Sequence, residues 1–219
     1  TDLLKSMADH YGVEIFNVLT GFKYIAEVVR KHEGKRTFIC GGEESYGFLA
    51  EDFVRDKDAV SACSLLAEIC AFAKDKGKTL YDILMDIYME YGFSKEVTIN
   101  VERPGKSGAD EIQQMMVNYR SNPPKSLNGS KVILSKDYQT LIATDGNGKQ
   151  TKLDMPTTSN VLQWFCENGT KVSVRPSGTE PKIKFYIEVK AQMKDASQYE
   201  TLDKQSLGSV EIIRKDLGV

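Results

Sequence analysis

The chain is 219 residues long, 41% hydrophobic and 27% charged, enough for one large or two modest domains with proper cores. Its 29 Lys and Arg against 31 Asp and Glu leave a net charge of -2, which excludes a global field for nucleic acid or anionic membrane and makes any phosphate chemistry local. The longest apolar stretches, such as residues 59–66, fall well short of the roughly 20 residues a membrane helix needs, and no signal peptide is visible.

Thr1-Asp2-Leu3-Leu4 already has the pattern of an amphipathic helix and no initiator Met, so residues upstream are expected. Leu3, Leu4, Met7 and Tyr11 recur at helical spacing, Val13 to Leu19 reads as a short strand, and Phe22, Ile25, Ala26 and Val29 form a second helical stripe. Arg36 to Cys40 reads as another strand and runs into Gly41-Gly42-Glu43-Glu44-Ser45-Tyr46-Gly47. A helix follows from Asp58 to Lys76, closed by Gly77, and another opens at Thr79 with Asp82 and ends at Gly92. Helix and strand in alternation predict an α/β domain over residues 1–93, an open, parallel three-layer sheet whose ligands bind beyond the strand carboxyl ends.

Beyond Gly92, strands follow one another: Val97–Val101, Lys131–Leu134, Val161–Phe165, Lys171–Val174 and Ile183–Val189. Turn signals separate them, among them Asn128-Gly129 and Glu167-Asn168-Gly169. Helices are expected from Ala109 to Arg120 and from Ser197 onward. Residues 94–219 therefore read as an α+β domain with antiparallel pairing.

The four cysteines, Cys40, Cys63, Cys70 and Cys166, form no Cys-x-x-Cys pair. They read as buried free thiols in a reducing cytoplasm rather than metal ligands. His10 and His32 lie in predicted helices far apart and read as surface residues.

Two loops could carry chemistry. Arg175-Pro176-Ser177-Gly178-Thr179-Glu180-Pro181 lies between two predicted strands. Its guanidinium fork, its hydroxyls and the close backbone approach allowed by Gly178 suit an anion cradle. Lys184 could add a second positive charge, although an ordinary Pro/Gly/Ser turn has the same composition. Glu43 and Ser45, separated by one residue in a glycine-rich turn, could hydrogen-bond adjacent sugar hydroxyls. A solvated acidic loop or a helix cap is the plainer alternative.

Taken in order, Thr20-Gly21-Phe22-Lys23-Tyr24-Ile25, Gly42-Glu43-Glu44-Ser45-Tyr46-Gly47, Arg55-Asp56-Lys57-Asp58 and Arg175-Pro176-Ser177-Gly178-Thr179-Glu180-Pro181-Lys182 resemble the third and fourth domains of the phosphoglucomutase/phosphomannomutase family. The resemblance covers essentially the whole chain, and the Glu-Glu-Ser-Tyr loop is most similar to the bacterial phosphoglucomutases. It implies that Glu43 and Ser45 read sugar hydroxyls, with Lys57 and, more weakly, Lys23 on the same substrate. It implies that Arg175, Ser177, Gly178, Thr179 and Lys184 grip the non-reacting phosphate.

The implied reaction interconverts sugar 1-phosphate and 6-phosphate through a bisphosphorylated sugar, glucose 1,6-bisphosphate when glucose is the substrate. It uses a phosphoserine and Mg2+ on an aspartate-rich loop, but neither Asp-x-Asp-x-Asp nor Ser-His-Asn-Pro occurs here. Thr157-Thr158-Ser159-Asn160 is no substitute. The expectation is a cytoplasmic, C-terminal part of a mutase, lacking the first strand of its third domain, with its catalytic serine and Mg2+ site outside this chain. Its expected partners are a phosphosugar and the missing N-terminal domains, with no nucleic acid and no membrane. Mannose or pentose phosphates, or a stand-alone phosphosugar-binding module, are the alternatives.

Overall fold

The structure is a computed structural model describing residues 1–44, 47–178 and 180–219, with Lys106 described by its backbone alone. The chain divides into two compact units, Ala8–Ile87 and a second made of Thr1–Met7 with Tyr88–Val219. Among the described residues, no helix is long and apolar enough to cross a membrane.

The first unit contains the end of α1 (Leu3–His10), then α2 (Phe22–His32), strands β1 (Cys40–Gly42) and β2 (Phe48–Ala50), α3 (Ala59–Asp75) and most of α4 (Leu80–Tyr91). Its core is Phe22, Ile25 and Val29 from one face of α2, Leu49 from β2, and the partly buried Val18 and Phe38. A side-chain carbon on Gly41 would lie 2.9 Å from Ile25 Cγ2, so glycine there lets the strand lie on the helix. Asp58 caps α3 by accepting from the N–H groups of Val60 and Ser61, and these bonds hold its carboxyl below the usual range.

Helix and strand do alternate here, but the pairing differs from the parallel sheet expected. Among the described residues of this unit the one ladder is the antiparallel β1–β2 pair. Residues 13–19 and 36–39 carry no strand assignment, because a strand is defined by its partner's hydrogen bonds and not by its own apolar pattern. The cysteines also need correction. Cys166 is buried and its thiol is pushed up to about 11 by that burial, but Cys40, Cys63 and Cys70 are exposed. Cys63 and Cys70 ride on α3, where only Ala73 is buried. An apolar helix is covered only if a layer of matching size packs on it, and two three-residue strands are too small.

The second unit is an antiparallel sheet in the order β3 (Phe93–Glu102), β10 (Lys182–Ala191), β9 (Lys171–Pro176), β8 (Leu162–Cys166), β5 (Ser130–Asp137), β6 (Ile142–Asp145) and β7 (Gln150–Lys152), with β4 (Ser126–Leu127) pairing β5. Asn128 and Gly129, both at positive φ, make the two-residue turn between β4 and β5. Helices α5 (Gly105–Ser121) and α6 (Tyr199–Asp216) pack against the sheet. Burial on β8, β9 and most of β10 alternates strictly, so one face carries Trp164, Val172, Val174, Ile183, Phe185 and Ile187 into a core shared with Ile112, Met116, Val210 and Ile213. The Tyr119 hydroxyl, its pKa raised to about 12 by burial, donates to the Leu217 carbonyl at 2.6 Å and ties α5 to the end of α6.

The other face is polar. Glu188, 5% exposed, accepts from the Asp2 N–H at 2.7 Å, the Thr1 hydroxyl at 3.2 Å and the Ser94 hydroxyl at 3.0 Å. Asp2 in turn meets Lys171 and Lys190, each at 3.0 Å. This staple places Thr1–Met7 in the second unit. Burial alone would raise the Asp2 pKa, but its bonds to Lys190 and Lys171 hold it below the usual carboxylate range. Its contribution is therefore present above the ordinary carboxylate pKa and is lost as pH falls through the lowered value. Asp2→Asn is expected to speed hydrogen exchange at the Leu3–Met7 amides at neutral pH. At a pH below the lowered value, variant and parent should exchange alike, and unchanged exchange at neutral pH would disprove the staple.

Candidate functional sites

In the first unit, three segments converge. Gly21 is the N-cap of α2 at φ 122°, a conformation that favours glycine, and has no side-chain cap of its own. Glu43 supplies one from another loop, its Oε1 accepting from the Gly21 N–H at 2.8 Å. A carboxylate at the positive end of a helix is favoured by the helix dipole. The Glu43 N–H donates to the Gly47 carbonyl at 2.8 Å, closing the loop across its mouth. Gly47 is buried, and a side-chain carbon there would sit 3.2 Å from both Glu43 Oε2 and Lys57 Cδ, so the glycine lets the carboxylate and the lysine stem approach. The Lys57 ammonium lies 5.3 Å from the centre of the Phe22 ring and 3.3 Å from Asp56 Oδ1.

Glu43 and Lys57 are thus brought together. Lys23 is exposed with its ammonium 4.9 Å from the centre of the Tyr24 ring. Ser45 lies outside the described residues. Sequence reasoning missed the Gly21 N–H, the Phe22 ring and the packing role of Gly47, although the first two stand inside the Thr20-Gly21-Phe22 motif and Gly47 closes the next. The helix-cap alternative for Glu43 holds in the structure: one oxygen caps α2 while the carboxylate keeps further acceptor capacity.

In the second unit, the loop between β9 and β10 closes on itself. The Ser177 N–H donates to the Lys182 carbonyl at 2.8 Å, the Lys182 N–H to the Glu180 carbonyl at 2.7 Å, and the Glu180 N–H to the Ser177 hydroxyl at 3.3 Å. Glu180 pairs with Lys182, and this bond, with the Lys184 charge farther off, keeps its carboxyl below the usual range. Gly178 is exposed, and a side-chain carbon on it would meet nothing within 4 Å. Thr179 lies outside the described residues.

Arg175 and Lys184 face each other directly across β9 and β10. Both are partly buried, and both project from the face opposite Val174 and Ile183. Like charges directly opposite are destabilising. Among the described residues neither cation forms an ion pair, whereas Lys182, Lys171 and Lys190 all do. Two cations side by side on one sheet face would be stabilised by an anion placed between them.

Comparison with known proteins covers both parts of the chain. The family description "Phosphoglucomutase/phosphomannomutase, alpha/beta/alpha domain III" matches residues 1–91, and "Phosphoglucomutase/phosphomannomutase, C-terminal domain" matches residues 96–202. The chain belongs to the phosphoglucomutase/phosphomannomutase family. It is 40% identical over 191 residues to a phosphoglucomutase of Staphylococcus aureus strain MRSA252, covering 87% of this chain and 34% of the relative. It is 39% identical over 192 residues to that of strain MSSA476, covering 88% and 35%. The chain thus spans about a third of the length of these phosphoglucomutases. A crystal structure of pp63/parafusin, a phosphoglucomutase from Paramecium, in its open form, matches at TM-score 0.59 and 18% identity, over 100% of this chain and 37% of that one, which supports the fold. Among the described residues no three His, Cys, Asp or Glu side chains come together to hold a metal ion, so they offer no donor set for the Mg2+ that the resemblance implies.

Proposed function

We propose that this chain is the substrate-holding part of a cytoplasmic phosphohexomutase that interconverts sugar 1-phosphate and sugar 6-phosphate, glucose phosphates first, through a bisphosphorylated sugar. The observation that carries the reading is the Arg175–Lys184 pair, two cations facing each other across β9 and β10, beside a self-closed loop with an exposed Gly178. In this reading Arg175, Ser177, Gly178, Thr179 and Lys184 hold the phosphate that is not reacting. Glu43 and Ser45 accept and donate to sugar hydroxyls, with Lys57 and Lys23 supplying positive charge on the same unit. The work of these residues is to bind and orient. The phosphoryl-carrying serine and the Mg2+ site belong to residues outside this chain, so the chain alone is inactive.

The test is an NMR titration of the chain with glucose 6-phosphate. One bidentate arginine contact and a few neutral hydrogen bonds, set against lost ligand freedom, give an expected Kd on the order of millimolar. Shifts should centre on Ser177 and Gly178 and vanish in Arg175→Ala, while the same preparation converts no glucose 1-phosphate. Absence of shifts at tens of millimolar ligand, or shifts that survive Arg175→Ala, would refute the assignment of the phosphate loop.

A further inference from the structure

We propose that Asn100 is a further donor to the anion site, its side-chain amide binding the same phosphate as Arg175 and Lys184; this rests on the reading of the facing cations given above. Lys184 has two cross-strand neighbours, Arg175 on β9 and Asn100 on β3. Residues directly opposite share a sheet face with their Cβ atoms about 5 Å apart. Arg175, Lys184 and Asn100 therefore form one row across three adjacent strands.

The residue types along β3 make the choice of asparagine informative. On this face β3 carries Glu96, Thr98, Asn100 and Glu102 in succession, opposite Glu188, Tyr186, Lys184 and Lys182. Glu102 thus sets a carboxylate across from Lys182, the favoured opposite-charge arrangement. At Lys184, which already faces Arg175, the strand offers a neutral amide instead. A carboxylate at position 100 would set a negative charge against Lys184 and compete with an incoming anion. An asparagine can accept from the lysine through its carbonyl oxygen and still present two N–H donors to an anion over the row. Asn100 is exposed on the edge strand, so the amide is accessible and substitution there disturbs no core packing.

The experiment is an NMR titration of the whole chain with inorganic phosphate, following the Asn100 side-chain NH2 signals together with the Gly178 backbone amide. Both should move along one binding curve. Asn100→Ala should weaken binding about 2- to 10-fold, the worth of one neutral hydrogen bond. The near-isosteric Asn100→Asp should weaken it more than about 10-fold, because it removes the donor and adds a competing charge. Wild-type affinity in both variants, with the Asn100 signals still while Gly178 moves, would overturn the role of Asn100 and leave the phosphate loop standing. No movement at Gly178 in the parent chain would overturn the loop assignment and this proposal together.

Discussion

Replacing Glu43 by glutamine is expected to lower kcat/KM about 10- to 150-fold in the complete mutase proposed to carry this chain, with little change in stability. Glutamine keeps a carbonyl oxygen that can accept from the Gly21 N–H, so the cap on α2 survives. What disappears is the charged acceptor toward the sugar, because with its oxygen on the Gly21 N–H the glutamine turns its NH2 there. A hydrogen bond to a charged group is worth about 1.5–3 kcal/mol, and its loss read as transition-state stabilisation gives that range. Steady-state kinetics on glucose 1-phosphate beside a thermal melt separates the two effects. A variant with parental kcat/KM would remove Glu43 from the substrate site and leave it a helix cap only.

Phe185→Ala is expected to destabilise the second unit by about 3–5 kcal/mol, the range for a large aromatic deleted from a packed core. Phe185 is 0% exposed on β10, between Ile99 of β3 and Val174 of β9, and its ring meets Tyr119 edge-on at 6.2 Å. The sole tryptophan, Trp164, is buried in the same core, so its fluorescence in a urea titration reports this unit without interference from the first. The midpoint should fall with the slope unchanged. A loss below about 1 kcal/mol would mean that the core relaxes around the deletion.

The helices were legible because their signals are local. Asp58 before an apolar run, Gly77 after it, and the Thr79/Asp82 pair mark α3 and α4 to within a residue or two. The β8–β9 hairpin was legible for the same reason, since Glu167-Asn168-Gly169 stands between two alternating strands. By contrast, Ile142–Asp145 and Gln150–Lys152 are short and mostly polar, and they are strands only because β5 and β6 supply partners. The exposure of Cys63 and Cys70 was hidden for a related reason, because burial is a property of what lies opposite a helix and not of its own apolar content.

At the sites, Glu43, Lys57, Arg175 and Lys184 could be named from residue type and motif. That Arg175 and Lys184 stand directly opposite depends on strand register, which neither residue encodes alone. The Gly21 contact was likewise invisible, because its donor is backbone and every residue but proline offers the same group.

The ten-residue ladder between β3 and β10 bears on how the protein is made. Its partners lie roughly 80 to 100 residues apart in the chain, a separation that folds slowly because loop closure must precede any reward from pairing. On the ribosome, β3 emerges first and waits for β10 while the intervening strands are synthesised. At about 5–20 residues per second, that wait lasts on the order of 4–20 seconds. During it the apolar side of β3, Phe93, Val97, Ile99 and Val101, has no ladder to enter, so the nascent chain is most exposed to aggregation and to chaperone capture between the appearance of β3 and the release of β10.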